Sequence, residues 1–225
     1  MKLPFTTEDF FKVIENYNQS VFPIQVIFLI AGIYATVVLF RNPSGAGKTI
    51  GLILSALWLW MGIFYHLNFF TQINPAAYGF GILFIIEGLL IFRSSFIQRR
   101  IIFSSNTGWI RYLGYFFILY GLTIYPIISY FTESSVVQTI SLGLPCPSTI
   151  LTFGFFILAA YKIPRHLLLI PFIWAVIGIS AALNIGIYQD LMIIVAAIAA
   201  ILTVFLLAKS ERVITGKEAI FKQNN

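Results

Sequence analysis

RNPSGAGKTI, residues 41–50, sets two glycines before Lys48 and Thr49 and then runs into an apolar stretch, the outline of a phosphate-binding loop. Its reading decides the fold, because a phosphate loop joins a β-strand to a helix, whereas the same letters between two long apolar runs make a turn between membrane helices. The first glycine of a phosphate loop stands six residues before the lysine, and that position here is Asn42. An apolar run over 21–40 precedes the stretch, with no strand pattern. SGAGKT is therefore expected to bind no nucleotide, and Pro43, Ser44, Gly45 and Gly47 to form a hairpin turn with Lys48 as an anchor at the membrane surface.

Working outward, the chain of 225 residues is 59% hydrophobic and 10% charged, far from the balance of a soluble domain. A transmembrane helix needs about 20 mostly apolar residues, and breaks at polar or Pro/Gly positions divide the sequence into seven spans. These lie near 21–40, 50–70, 76–92, 110–130, 147–161, 166–187 and 191–208. The expected fold is all-α, a seven-helix transmembrane bundle. Its parts are an amphipathic N-terminal segment over 1–20, the bundle over 21–208 and a basic tail over 209–225. The fifth span is short, and VVQTISLGLP, residues 136–145, is a candidate re-entrant segment before it.

Basic residues orient the bundle, since lysine and arginine near span ends favour the cytoplasm. Arg41, Lys48, Arg93, Arg99, Arg100, Arg111, Lys162, Arg165, Lys209, Arg212, Lys217 and Lys222 fall on one side, and Lys2 and Lys12 on the other. Twelve against two places the N-terminus outside and the C-terminus in the cytoplasm. Topology accounts for the net charge of +6, so no nucleic acid is expected as a partner. The first twenty residues hold Glu8, Asp9 and Glu15 and lack the pattern of a cleavable signal. Thr6 and Asp9 have capping spacing, and Phe10, Ile14 and Tyr17 fall at i, i+4, i+7, as expected of a helix lying as a lid on the outer rim. A plain amphipathic lead-in to the first span fits the same pattern.

An internal repeat is visible. WLWMGIFYHLN, residues 58–68, and WAVIGISAALN, residues 174–184, share W-x-x-x-G-I-x-x-x-L-N. Continued without a gap from Trp58 to Ser94, the match gives 9 identities in 37 positions and sets Glu87 against Thr203. Spans one to three would then repeat as five to seven around span four, a parallel 3+1+3 arrangement similar in architecture to the sugar-transporting SWEETs. A duplication kept only for packing accounts for the same identities. A retinal protein is excluded, because the seventh span has no lysine before Lys209.

Among polar residues, Glu87 stands out, because a carboxylate within a span costs at least ~2.5 kcal/mol on insertion scales. Ser55, Trp58 and Tyr115 are expected at its depth as donors. It reads either as a proton relay or substrate contact, or as a protonated carboxyl tying helices together. His66, beside Tyr65 and Asn68, lies nearer the outer end, where Asn74, Tyr125, Cys146, Thr149, Asn184 and Asp190 also collect as a polar pocket. His66, Cys146 and Met61 are candidate ligands for a soft metal ion, although a proline-bracketed cysteine is usually a turn. Gly178, Ala182 and Gly186 form a close-packing stripe. No catalytic constellation and no cofactor motif is present, so neither an enzyme nor a bound cofactor is expected.

Nearly end to end, the chain resembles a bacterial integral-membrane family of unknown function. The resemblance rests on LPFTTEDFF at 3–11, NYNQSVFPIQ at 16–25, LWLWMGIFYHLNFF at 57–70, INPAAY at 73–78, GLPCPST at 143–149, and IP with W-x-x-x-G-x-SAA at 170–182. It implies a multi-pass protein of the bacterial cytoplasmic membrane and draws attention to the outer half of the bundle, without implying an activity. The function expected from the residues is carriage of a small solute or ion through an outward-facing polar pocket; the alternative is a sensor or scaffold binding a ligand or metal ion on the outer face. The orientation is checked by single cysteines at Gly45 and Gln138 in a Cys146→Ser background, which should label from opposite sides of the membrane. Labelling of both from outside would overturn it.

Overall fold

Prolines, glycines and polar breaks cut the apolar sequence into helices joined by short connections. A computed structural model describes residues 3–42, 44–103, 108–159 and 163–206, which contain helices and no strand. The helices are α1 (Thr7–Val21), α2 (Ile24–Arg41), α3 (Gly47–Gln72), α4 (Ala77–Ile97), α5 (Trp109–Glu133), α6 (Pro145–Leu158), α7 (Arg165–Ile185) and α8 (Tyr188–Leu206). Six of them, α2 to α5, α7 and α8, are long and apolar enough to cross a membrane. The predicted fifth span corresponds to α6, whose 14 residues rise only about 21 Å. The basic tail over 209–225, with Pro43 and Lys162, lies outside the described residues.

Local chemistry sets the ends. Thr6 caps α1 by the expected box: its hydroxyl accepts from Asp9 N at 3.1 Å while its own N–H donates to the Asp9 carboxylate at 3.0 Å. Pro145 opens α6 at its first turn, where no N–H is needed. Gly186 closes α7 in the left-handed region at φ 89°, which a side chain would oppose. Three stretches inside the long helices are π-helical, at Met61–Phe69 in α3, Arg93–Ile97 in α4 and Tyr120–Ile124 in α5. The wider turn breaks the 3.6-residue periodicity there, so the sequence pattern alone showed only continuous helix.

α6 is the centre of the bundle. From Pro147 to Leu158 every residue is buried, whereas only 22% of α2 is. Backbone contact makes this packing tight. A Cβ on Gly154 would lie 2.9 Å from the Gly114 carbonyl oxygen, and one on Gly114 would lie 3.2 Å from that of Gly154. α3 and α4 meet by the same device: a Cβ on Gly62 would lie 2.9 Å from the Gly81 carbonyl, and one on Gly81 3.0 Å from that of Gly62. Around this interior runs an exposed apolar belt, including Ile27, Ile30 and Val37 on α2, Phe116, Leu119 and Ile127 on α5, and Val195, Ile198 and Leu202 on α8. Water would not tolerate such a surface, and hydrocarbon does.

The two copies of the W-x-x-x-G-I motif have different surroundings. Trp58 is fully buried and its indole N–H donates to Thr152 on α6 at 3.1 Å. Trp174 faces a cavity, and Gly178, with only an Ile193 methyl within 4 Å of a would-be Cβ, leaves space there. Gly154→Ala should accordingly lower unfolding stability in detergent by roughly 1–3 kcal/mol through overpacking, while Gly79→Ala, whose Cβ would meet nothing within 4 Å, should be neutral. Equal melting shifts for the two would contradict the backbone contact.

Candidate functional site

At the end of the bundle that carries α1, a non-helical segment over 134–144 folds inward and buries Ile140, Leu142 and Leu144. Its backbone polar groups need partners there, and side chains supply them. Asn18 on α1 donates to the carbonyls of Val137 and Thr139 at 2.8 and 2.9 Å, Tyr17 donates to that of Gly143 at 2.8 Å, and Ser129 and Ser148 accept from the N–H groups of Ile140 and Gly143. Trp60 on α3 in turn donates to the Tyr17 hydroxyl at 2.7 Å. Burial pushes that hydroxyl's pKa up, so it stays a neutral donor. The apolar stripe of α1 thus lies on the bundle, with Val13, Ile14 and Tyr17 buried.

Beneath α1 is a cavity of about 50 Å³. Phe5, Phe10 and Ile14 form its roof, Tyr65 and Phe70 of α3 and Trp174 of α7 its sides, and Gly178 and Ala181 the space that larger residues would fill. Its polar groups sit together at Tyr125, Cys146 and Asp190. The Tyr125 hydroxyl donates to Asp190, and the Cys146 thiol lies against the same carboxyl and faces the Trp174 indole N–H, which has no well-aligned acceptor. Two of these groups come from helix starts, Asp190 from the first turn of α8 and Cys146 from the first turn of α6, and Tyr125 comes from within α5, just beyond its π-helical stretch.

Of the polar residues expected at this end, Tyr65, Tyr125, Cys146 and Asp190 line the cavity. The others do not. Asn68 and Asn184 are exposed, and the Asn184 amide donates to the Ser180 carbonyl at 2.6 Å. Asn74 shapes the turn before α4, its side chain accepting from Ala76 N. Thr149 is buried on α6 with its hydroxyl unpaired. The expected polar pocket is therefore a largely aromatic one with a single carboxyl, because asparagine on the surface satisfies itself on nearby backbone.

His66 and Glu87 lie deeper. The His66 ring is wholly buried between Phe84 and Trp174, at centroid distances of 4.5 and 5.2 Å, with neither nitrogen hydrogen-bonded among the described residues. Met61 is buried in the core, and no group of three His, Cys, Asp or Glu suited to a metal assembles among the described residues. Glu87 is wholly buried, and both carboxyl oxygens lack a partner there. The donors expected for it are engaged elsewhere: Ser55 donates to the Gly88 carbonyl at 2.7 Å and Trp58 to Thr152, while the Tyr115 ring lies against Arg111.

Sequence reasoning passed over Trp174, Gly178 and Ala181 as cavity walls and Phe5 as roof, although the first two sit in the repeated motif. The signal was the contrast between a bulky aromatic and a small residue one turn on. Because no protein donor loses a partner when Glu87 is removed, Glu87→Leu should keep or raise the melting temperature, by up to about 1–3 kcal/mol of relieved desolvation. A clear fall would mean that the carboxyl is held by a bound donor.

No curated protein and no solved structure matches the chain. A family model, described as a family of unknown function (DUF6064), matches residues 7–214, which include α1, the 134–144 segment and every helix that lines the cavity. The chain with this aromatic, single-carboxyl cavity beneath its N-terminal helix belongs to that family of unknown function.

Proposed function

We propose that the protein binds a small solute with an apolar body and one cationic or hydrogen-bond-donating group in the cavity beneath α1, and carries it across the membrane. The observation that carries the binding step is the Asp190 carboxyl, 5% exposed at the polar corner of an aromatic cavity, whose partners are the neutral Tyr125 and Cys146. A buried carboxylate with neutral donors alone leaves its charge unbalanced. An ammonium group over Asp190, with its apolar part against Tyr65, Phe70 and Trp174, meets both needs, since aromatic faces also attract cations.

Carriage is supported by the buried, unpartnered Glu87 farther along the bundle and by π-helical turns next to cavity residues in α3 and α5, since such turns mark places where helices change register. The sensing alternative is favoured by one observation, the packed aromatic layer of His66, Phe84 and Trp58 below the cavity. The orientation with α1 outside, with α6 as the central one of seven crossings, is part of the proposal. It rests on the basic residues, and a wholly buried helix need not match the lipid thickness. The parallel repeat is supported only by the motif identities.

Binding is read by tryptophan fluorescence and thermal shift with phenethylammonium, phenethyl alcohol and phenylacetate. The expected affinity order is cation, alcohol, anion, and Asp190→Asn should weaken the cation at least tenfold, about 1.4 kcal/mol, while leaving the alcohol unchanged. Preference for the anion, or no binding of any probe, would overturn the reading. Uptake of radiolabelled phenethylammonium into proteoliposomes then separates the two alternatives: binding without uptake selects the sensor.

A further inference from the structure

One carboxyl lines the cavity beneath α1, and nothing around it carries the opposite charge. Among the described residues, the titratable groups that face Asp190 are Tyr65 from α3, Tyr120 and Tyr125 from α5, and Cys146 from α6. Phenols and thiols are uncharged at neutral pH. The linings from α1, α7 and the 134–144 segment are apolar apart from the Trp174 indole, and no lysine, arginine or histidine lines the cavity. His66 stands one layer back, its ring 5.1 Å from that of Tyr65 and 5.2 Å from that of Trp174.

The carboxyl is fixed in place. Asp190 N donates to the Ile187 carbonyl at 3.1 Å, and the Tyr120 hydroxyl donates to the Gln189 carbonyl at 3.2 Å, which holds the adjoining backbone. Asp190 lies in the first turn of α8, where the aligned N–H groups favour a negative charge. Its side-chain donor Tyr125 serves a carboxylate and the carbonyl oxygen of an un-ionised acid alike. The same arrangement therefore suits the acid form and the ionised form under a cation. Ionised with no cation beside it, the carboxyl would be an unbalanced buried charge.

We infer that a proton and the solute cation are alternative occupants of the Asp190 carboxyl, so that each cation that binds expels a proton. This rests on the solute-binding reading given above and adds the ion that the site exchanges. The exchange balances. The carboxylic acid gives its O–H proton to water, the ammonium group takes its place beside the carboxylate, and the charge of the cavity is unchanged. A single carboxyl balances one positive charge, so the two occupants exclude each other. In a carrier with this site the empty form crosses with a proton, which couples cation movement in one direction to proton movement in the other. A hard metal ion is a poor third occupant, because it calls for about six oxygen ligands and the lining is mostly aromatic and aliphatic.

The test titrates phenethylammonium into the full-length protein in weakly buffered detergent solution, with an indicator dye reporting released protons and phenethyl alcohol as the uncharged control. Toward acid pH, proton release should approach about one per cation bound, and cation affinity should fall about tenfold for each unit of pH. The alcohol should release none and bind equally at every pH. Asp190→Asn should release none even where the cation saturates it, and His66→Phe, which keeps the ring packing, should release as the wild type does. If Asp190→Asn fails to fold, the contrast between the wild-type cation and alcohol profiles decides. Cation binding without proton release, release that persists in Asp190→Asn, or release lost in His66→Phe would overturn this inference and leave the solute site standing. Failure of the cation to bind at any pH would overturn both.

Discussion

Gly114 and Gly154 meet with no side chain between their backbones, and most of the architecture depends on that approach. It lets α5 and α6 pack at a distance that any Cβ would forbid, and so lets α6 sit inside the bundle with no face toward lipid. A helix in that position is released from the length requirement of the bilayer. Its surroundings are protein, and its 14 residues are fewer than the about 20 a lipid-facing spanning helix needs. The non-helical segment leading into it is tolerated on the same ground. Irregular backbone survives at such a place only when its N–H and C=O groups are satisfied from within, and here Asn18, Tyr17, Ser129 and Ser148 do so.

Two of those four come from α1, which ties the N-terminal helix to the site. The residues that pin α1, Tyr17 and Asn18, follow about one turn after those that roof the cavity, Phe10 and Ile14. Anchoring and enclosure are thus properties of one helix face. The helix that roofs the cavity is thereby held by the carbonyls of the 134–144 segment. The Trp60 to Tyr17 hydrogen bond extends that hold to α3, whose π-helical stretch carries Tyr65.

Polar groups in the interior fall into two kinds. Most of those near the α1 end are partnered and shape the backbone or the cavity, the Thr149 hydroxyl and the Trp174 indole N–H excepted. Those deeper, His66 and Glu87, are enclosed by aromatic and aliphatic side chains without hydrogen bonds among the described residues. Sinking an unpaired carboxyl costs stability and gives no packing gain that leucine would not give better. The cost is consistent with a role in moving charge or protons, which is why Glu87 supports the carrier reading above a scaffold.

What the sequence by itself determined was the all-helical class with helices apolar enough to cross a membrane, the capped N-terminal helix and its inward stripe at Phe10, Ile14 and Tyr17, and the helix boundaries within a few residues. These follow from composition and from periodicity along one helix, which are local quantities. It also singled out Tyr65, Tyr125, Cys146 and Asp190, though among others that proved to be surface or turn residues. Only the tertiary structure decided which of them share a cavity, that its walls are aromatic, that Glu87 has no donor, and that α6 rather than α2 is central. Periodicity says that a helix has an apolar face but not what covers it, and in a chain this apolar every face qualifies. The choice among faces is made by where backbones can touch, at Gly62 with Gly81 and at Gly114 with Gly154, and those contacts join residues from different helices whose pairing no local pattern records.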